Sequence, residues 1–410
     1  MTNTPDIGAI YLAARPKVLG ALVKRYHDIA LAEDAVQDAM MRALSLWPQQ
    51  GVPDNPEAWL FVVAKNAMTD TFRRHSHQST HRPHLESSDA STLTASHQSA
   101  EDMLYQSDTL HLFFVCSDPM LSKEQQICLA LNVLAGMTAH ALAKAFVVSV
   151  SAMEKRLARA KHNVSRHALS SDAPFLDSTR SKAVKSMLYL MFNEGYSAIS
   201  SPERDKLSIS DQAITLTRAL HSLLPTDSEI KGLLALMLFQ QSRRDARLIN
   251  AKPIPLEQQD RQQWDRTMIL EATRLLSQGD QAAGYYRLQA RIAAEHCRAP
   301  SWEETNWHAI LCVYDALLSL TPSPIVALNR AAALAYVEGP ERALEATTLL
   351  ANALHEYQYF HATRAHLFKM MNDNAQAISA FEQAFALTTQ PWEADYIQNE
   401  ISNLSQDLMH

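Results

Sequence analysis

Five cations crowd one short stretch of this 410-residue chain: Lys155, Arg156, Arg159, Lys161 and Arg166. The stretch opens Ser151-Ala-Met-Glu154, the spacing of a capping box, which predicts a helix starting there. Met153, Leu157, Ala160 and Val164 recur at three and four and make an apolar stripe. Lys155, Arg159, His162 and Arg166 line the other side, with Arg156 beside them. Such a face neutralises phosphates, and in a major groove its early residues reach base edges while its later ones meet the backbone. A solvated basic helix would show the same pattern.

The elements ahead of it would position it. A helix is expected from Ser122 to about Leu134, then a break at Gly136. Thr138 is the expected N-cap of a second helix ending at Phe146, and Val147 to Val150 form a turn. The layout is helix–turn–helix.

A second polar set lies near the start. Leu31, Ala35, Ala39, Ala43 and Trp47 form an apolar stripe, while Asp34, Gln37, Asp38 and Arg42 share another face. Pro48 is expected to end this helix, and Pro53-Asp-Asn-Pro56 makes a turn. The next helix, Glu57 to about Arg74, should bury Trp59, Leu60, Val63 and Ala67 and present Asn66, Thr69, Asp70, Arg73 and Arg74. Asp70 can pair with Arg74 one turn on. On periodicity alone, solvated faces account for both polar stripes.

Length suggests about two to four domains. With 47% hydrophobic residues and nine glycines, the composition favours an all-α protein. No apolar run is long enough to cross a bilayer, and Met1-Thr-Asn-Thr-Pro-Asp lacks the pattern of a secretion leader. Cys116, Cys128, Cys297 and Cys312 show no Cys-x-x-Cys spacing and read as buried reduced thiols of a cytoplasmic protein. Residues 1–80 balance eight basic against eight acidic side chains; residues 117–170 carry seven against three, and residues 171–410 carry 21 against 28. A basic module in an acidic chain suits one local nucleic-acid contact. Residues 75–108, rich in Ser, Thr, His and Asp, read as a linker; His75, His77, His81 and His84 have no scaffold there for a metal. No Walker loop, His-Glu-x-x-His, Gly-x-Ser-x-Gly or dinucleotide fingerprint is present, so no catalytic residue, metal or cofactor is expected.

Together, Leu31-Ala-Glu-Asp-Ala-Val-Gln-Asp-Ala-Met-Met-Arg-Ala-Leu44, Pro56-Glu-Ala-Trp-Leu-Phe-Val-Val-Ala-Lys-Asn-Ala-Met-Thr-Asp-Thr-Phe-Arg-Arg74 and Ser151-Ala-Met-Glu-Lys-Arg-Leu-Ala-Arg-Ala-Lys161 resemble the conserved domains of bacterial sigma factors of the extracytoplasmic-function group. The resemblance implies core RNA polymerase and promoter DNA as partners. It places Asp34, Gln37, Asp38 and Arg42 on polymerase, with Asp38 where the family more usually has Glu. It places Asp54, Asn55, Lys65, Asn66, Arg73 and Arg74 on the single-stranded minus-ten element. Ser151, Lys155, Arg156, Arg159, Lys161 and Arg166 fall on the minus-thirty-five element.

The remaining half reads as helical throughout. Asn193, Glu194, Tyr196, Arg243, Arg244, Arg247, Asp260, Arg261 and Trp264 accompany its apolar faces, either as an ion-pair and capping network or as a pocket for a ligand or regulatory protein. The stretch resembles the long C-terminal extension of one sigma subgroup, in which the extension is needed for activity. In the tail, Leu328–Gly339 aligns with Ala362–Asp373 at an offset of 34, matching Arg330 with Arg364, Ala331 with Ala365, and Ala343 with Ala377. That period is the tetratricopeptide pattern. The expected organisation is all-α: a sigma domain two-like module over 1–75, a linker over 76–108, a sigma domain four-like helix–turn–helix over 109–170, a helical extension over 171–295 and tetratricopeptide-like repeats over 296–410. Two competing readings stay open at this stage, a helix–turn–helix regulator that never recruits polymerase and a helical scaffold.

Overall fold

The computed structural model describes residues 7–76, 108–146, 148–164, 169, 178–197, 207–249, 252–278 and 284–407. Most of the expected linker, with His77, His81 and His84, lies outside them, as does Arg166. The all-α expectation holds. The described residues are helical apart from short 3-10 turns, connecting loops and one antiparallel pair of two-residue strands, Leu248–Ile249 with Lys252–Pro253. The chain divides into two compact units: Met1–Gly195 with Asp205–Leu223, and Tyr196–Arg204 with Leu224–His410.

In the first unit, α1 (Ile7–Tyr26), α2 (Ile29–Gln50) and α3 (Pro56–Ser76) pack together. His27 takes a left-handed turn (φ 57°), and Asp28 then caps α2 by accepting from the Leu31 amide at 3.0 Å. Ala35, Ala39, Ala43 and Trp47 are buried as expected. Pro48 does not end the helix. It sits on the exposed side of the last turn, where the carbonyl it leaves unbonded can meet water. The helix runs on to Gln50, and Gly51 (φ 89°) closes it by donating to the Trp47 carbonyl at 2.9 Å. On α3 the buried row is Leu60, Ala64 and Met68, with Trp59, Val63 and Ala67 half-buried beside it. Trp59 meets Trp47 edge to face at 5.4 Å, so this pair closes the end of the bundle.

The helix over 108–116 (α4) approaches α1 closely: a Cβ on Gly20 would strike the Asp108 carbonyl. α5 (Lys123–Val133) starts with a reciprocal Ser122–Gln125 capping box. Gly136 (φ 71°) breaks the chain, and Thr138 caps α6 (Ala139–Ala145) by accepting from the Ala141 amide at 3.2 Å, as predicted. α7 (Val150–Asn163) begins earlier than the sequence suggested. Val148 donates to the Ala143 carbonyl, which closes the turn and brings Ser149 to the cap, where it accepts from the Ala152 amide at 3.2 Å. Ser151 and Glu154 are therefore exposed residues inside the helix, not a capping box. Met153, Leu157, Ala160 and Val164 are buried, as expected.

One buried ionic cluster ties these helices together. Arg15 of α1 donates to Glu33 of α2 at 3.0 Å and to the Val133 carbonyl at the end of α5; Lys161 of α7 contacts the other Glu33 oxygen. The Glu33 side chain is 6% exposed. Removing one member of such a cluster leaves a desolvated charge uncompensated, at roughly 3–5 kcal/mol. α8 (Ser178–Ser197) and α9 (Leu207–Leu223) are the last described helices of the first unit, the division between units falling inside α8.

The second unit is built around α10 (Ser228–Gln241), whose residues Leu233 to Phe239 are all buried. It packs on α11 (Arg266–Ser277) and α12 (Tyr285–Arg298). Gly232 permits the crossing, since a Cβ there would sit 2.6 Å from the Arg287 amide nitrogen. Successive packing continues through α13 (Trp307–Leu320), α14 (Pro324–Glu338) and α15 (Pro340–Thr348). It resumes after α16 (Ala351–Leu354) with α17 (Gln358–Met370), α18 (Asn374–Leu387) and α19 (Pro391–Asp407). Residues matched by the 34-residue offset play matched parts: Ala331 and Ala365 are buried, as are Ala343 and Ala377. Cys116, Cys128 and Cys297 are buried, but Cys312 is exposed on α13, against expectation. It follows Ile310 and Leu311 off the apolar side of that helix, a consequence of helical phase rather than residue type.

Candidate nucleic-acid interface

α6 and α7 present the basic face. Ser151, Lys155, Arg159 and His162 are exposed, and Lys155 and Arg159 have no ion-pair partner among the described residues. The other two described cations are engaged: Arg156 pairs with Glu124 of α5 at 2.6 Å, and Lys161 with Glu33. Arg156 thus braces α7 against α5.

On α2, Asp34, Gln37, Asp38 and Arg42 are all exposed. Partial desolvation, with the Glu33 and Asp38 carboxylates nearby, raises the Asp34 carboxyl above its usual range, against the lowering effect of Lys161. A cleft of about 760 Å³ runs between α2 and α7, and Glu33, Gln37, Glu154, Leu157, Lys161 and His162 are among its walls. The polar face of α2 and the basic helix therefore meet in one cleft at Gln37 and Lys161. The ionic cluster of Arg15, Glu33 and Lys161 was missed in the sequence. Its one visible signal is Glu33 itself, an acid in the apolar row of Ala32, Ala35 and Val36.

Asp54 and Asn55 are exposed in the turn before α3, where Asn55 accepts from the Ala58 amide at 3.0 Å. Lys65 is half-buried and Asn66 exposed. The side chains of Arg73 and Arg74 lie outside the described residues.

The residues considered as an extension pocket fall in both units. Asn193 and Glu194 belong to the first unit and the others to the second. Arg247 stacks on the Tyr196 ring, 3.6 Å from its centroid, and donates to the Tyr196 carbonyl at 3.1 Å; Arg243 donates to the Tyr196 hydroxyl at 3.4 Å. Arg244 lies 3.7 Å from Asp245. Asp260 accepts from the Gln262 amide, and Arg261 lies over Trp264 while donating to the carbonyls of His296 and Ala299. Trp264 is buried.

Residues 10–78, which take in most of α1 and all of α2 and α3, match the family model described as Sigma-70 region 2. That match supports a sigma factor family. Residues 180–279 match a model described as "Family of unknown function (DUF6596)", so the extension carries that domain. Over its whole length the chain belongs to one family with an uncharacterized protein of Rhizobium meliloti (strain 1021), 40% identical over 420 residues that cover 99% of this chain and 98% of the relative. No solved structure matches significantly. No helix among the described residues is long and apolar enough to cross a membrane.

Proposed function

We propose that the protein is an alternative sigma factor that brings core RNA polymerase to specific promoters and helps open the duplex, working in the cytoplasm and doing no covalent chemistry of its own. The carrying observation is a Sigma-70 region 2 match over residues 10–78 together with a capped helix–turn–helix whose Lys155 and Arg159 stand exposed, with no ion-pair partner among the described residues. In this reading Asp34, Gln37, Asp38 and Arg42 hold the polymerase clamp. Asp54, Asn55, Lys65, Asn66, Arg73 and Arg74 take the opened minus-ten strand, where unstacking of a few kcal/mol is offset by pocket and phosphate contacts. α7 reads the minus-thirty-five element with Lys155 and Arg159 foremost. Arg156 and Lys161 reach DNA only by giving up Glu124 and Glu33.

The extension, tetratricopeptide-like in its tail, is a required part that sustains the arrangement engaging polymerase, and it is the place for a regulatory ligand or protein. Reversing charge at Asp34 and Asp38 to Lys tests the reading. Each broken interfacial charge contact costs about 2–5 kcal/mol, so the double variant should fail to co-purify with core polymerase. A folded double variant that binds core like the native chain would sink the assignment. Tight binding of promoter duplex by a chain that never associates with polymerase would make it a plain helix–turn–helix regulator.

A further inference from the structure

The second unit contains a cavity of about 480 Å³, within the size range of small-molecule sites. Its walls are rich in aromatic rings. Trp307 stacks on Tyr336 at 4.0 Å, Trp302 meets Trp307 edge-on at 4.7 Å and Tyr336 at 5.8 Å, and Tyr314 and Tyr396 add two further phenol rings. His296 stacks on Trp302 at 5.7 Å and meets Trp307 edge-on at 5.3 Å, while Trp302, Trp307, Tyr314 and Tyr396 stay half-buried and Tyr336 is 41% exposed.

Only Glu257 and Lys369 bring formal charge to the lining, and Lys369 is tied to Glu400 at 2.6 Å. Glu257 is exposed and has no ion-pair partner among the described residues. It is near enough to act on the hydroxyls of Tyr336 and Tyr396; burial raises both first, Glu400 comes next for Tyr396, and Glu257 adds to each. Two histidines also line the cavity. Burial lowers both, His296 to about 4, so neither carries charge at neutral pH. Arg261, beside His296, has its guanidinium directed to two backbone carbonyls.

We propose that this cavity binds a small organic cation of the quaternary-ammonium class, held by the rings of Trp302, Trp307 and Tyr336 and balanced by Glu257. Ring faces attract such a cation through their quadrupole, and it carries no N–H groups that need acceptors. The site stands on the second unit alone and does not depend on the sigma-factor reading.

Titration of the full chain with choline, followed by calorimetry and tryptophan fluorescence, tests it against the neutral isostere 3,3-dimethyl-1-butanol. Choline is expected to bind in the sub-millimolar range and raise the melting temperature, with the isostere at least about tenfold weaker. Glu257→Gln, at an exposed position, should leave the ligand-free melting temperature unchanged and weaken choline about tenfold. Equal binding of the isostere would make the cavity merely apolar and overturn the proposal. So would no choline binding at millimolar concentration, undiminished binding by E257Q, or binding of a lysine-rich peptide in place of choline.

Discussion

Lys155 and Arg159 differ from Arg156 and Lys161 in a way that helix position alone does not show. All four sit on the polar part of α7, but two face solvent and two are held by carboxylates from α5 and α2. Alanine at Lys155 or Arg159 should therefore weaken promoter binding and lower the salt slope by about one per lost phosphate contact. Alanine at Arg156 should instead lower fold stability, because it unties α7 from α5. Binding isotherms over a salt series check this, and unchanged slopes for both Lys155 and Arg159 variants would contradict it. The exposed cations were legible because periodicity assigns a face. Their partners were not, since Glu33 and Glu124 are far away in sequence and pairing is a tertiary fact.

At the scale of elements, local chemistry placed the helices well and their ends less well. Thr138 and the row from Met153 to Val164 were readable because capping and periodicity act within one or two turns. The start of α7 was misplaced by two residues because Ser149 and Ser151 can both cap, and the turn closed by Val148 decides between them. Ser149→Ala should cost about 1 kcal/mol in chemical denaturation, and Ser151→Ala only a few tenths. The reverse order would restore the capping box.

α12 carries a pH-sensitive element. Burial, then Arg243 and Arg261, hold His296 down to about 4, whereas an unfolded imidazole titrates near its ordinary value of about 6.5. Between those values the unfolded chain takes up a proton that the folded chain refuses. The contribution of this group is thus full above about pH 6.5 and declines as pH falls toward about 4, by roughly 3 kcal/mol in all. His296→Asn removes that contribution. The stability difference between native and variant chains should shrink on acidification across this window, and a constant difference would show that His296 titrates normally.

The molecule as a whole followed its composition in some respects only. Few glycines and abundant apolar residues gave the all-helical class, and the offset of 34 marked helices whose Ala331, Ala365, Ala343 and Ala377 are buried alike. The division inside α8 was not legible, because that helix runs unbroken past Gly195 and composition does not change there. It assigns Asn193 and Glu194 to the first unit and Tyr196 and Arg247 to the second. On the sigma-factor reading, the acidic second half needs a purpose beside the two modules proposed to read the promoter. A chain truncated after Leu169, which also loses α8 and α9 of the first unit, should bind core polymerase yet transcribe poorly; better transcription than the full chain would make the removed part an autoinhibitor.

Run-off transcription with purified core RNA polymerase, the full chain and the DNA upstream of its own gene is the most direct test. The sigma-factor reading predicts a discrete transcript that core polymerase alone does not make and that disappears with the Asp34 and Asp38 reversals. A folded full chain that neither binds core polymerase nor directs any discrete transcript would contradict it.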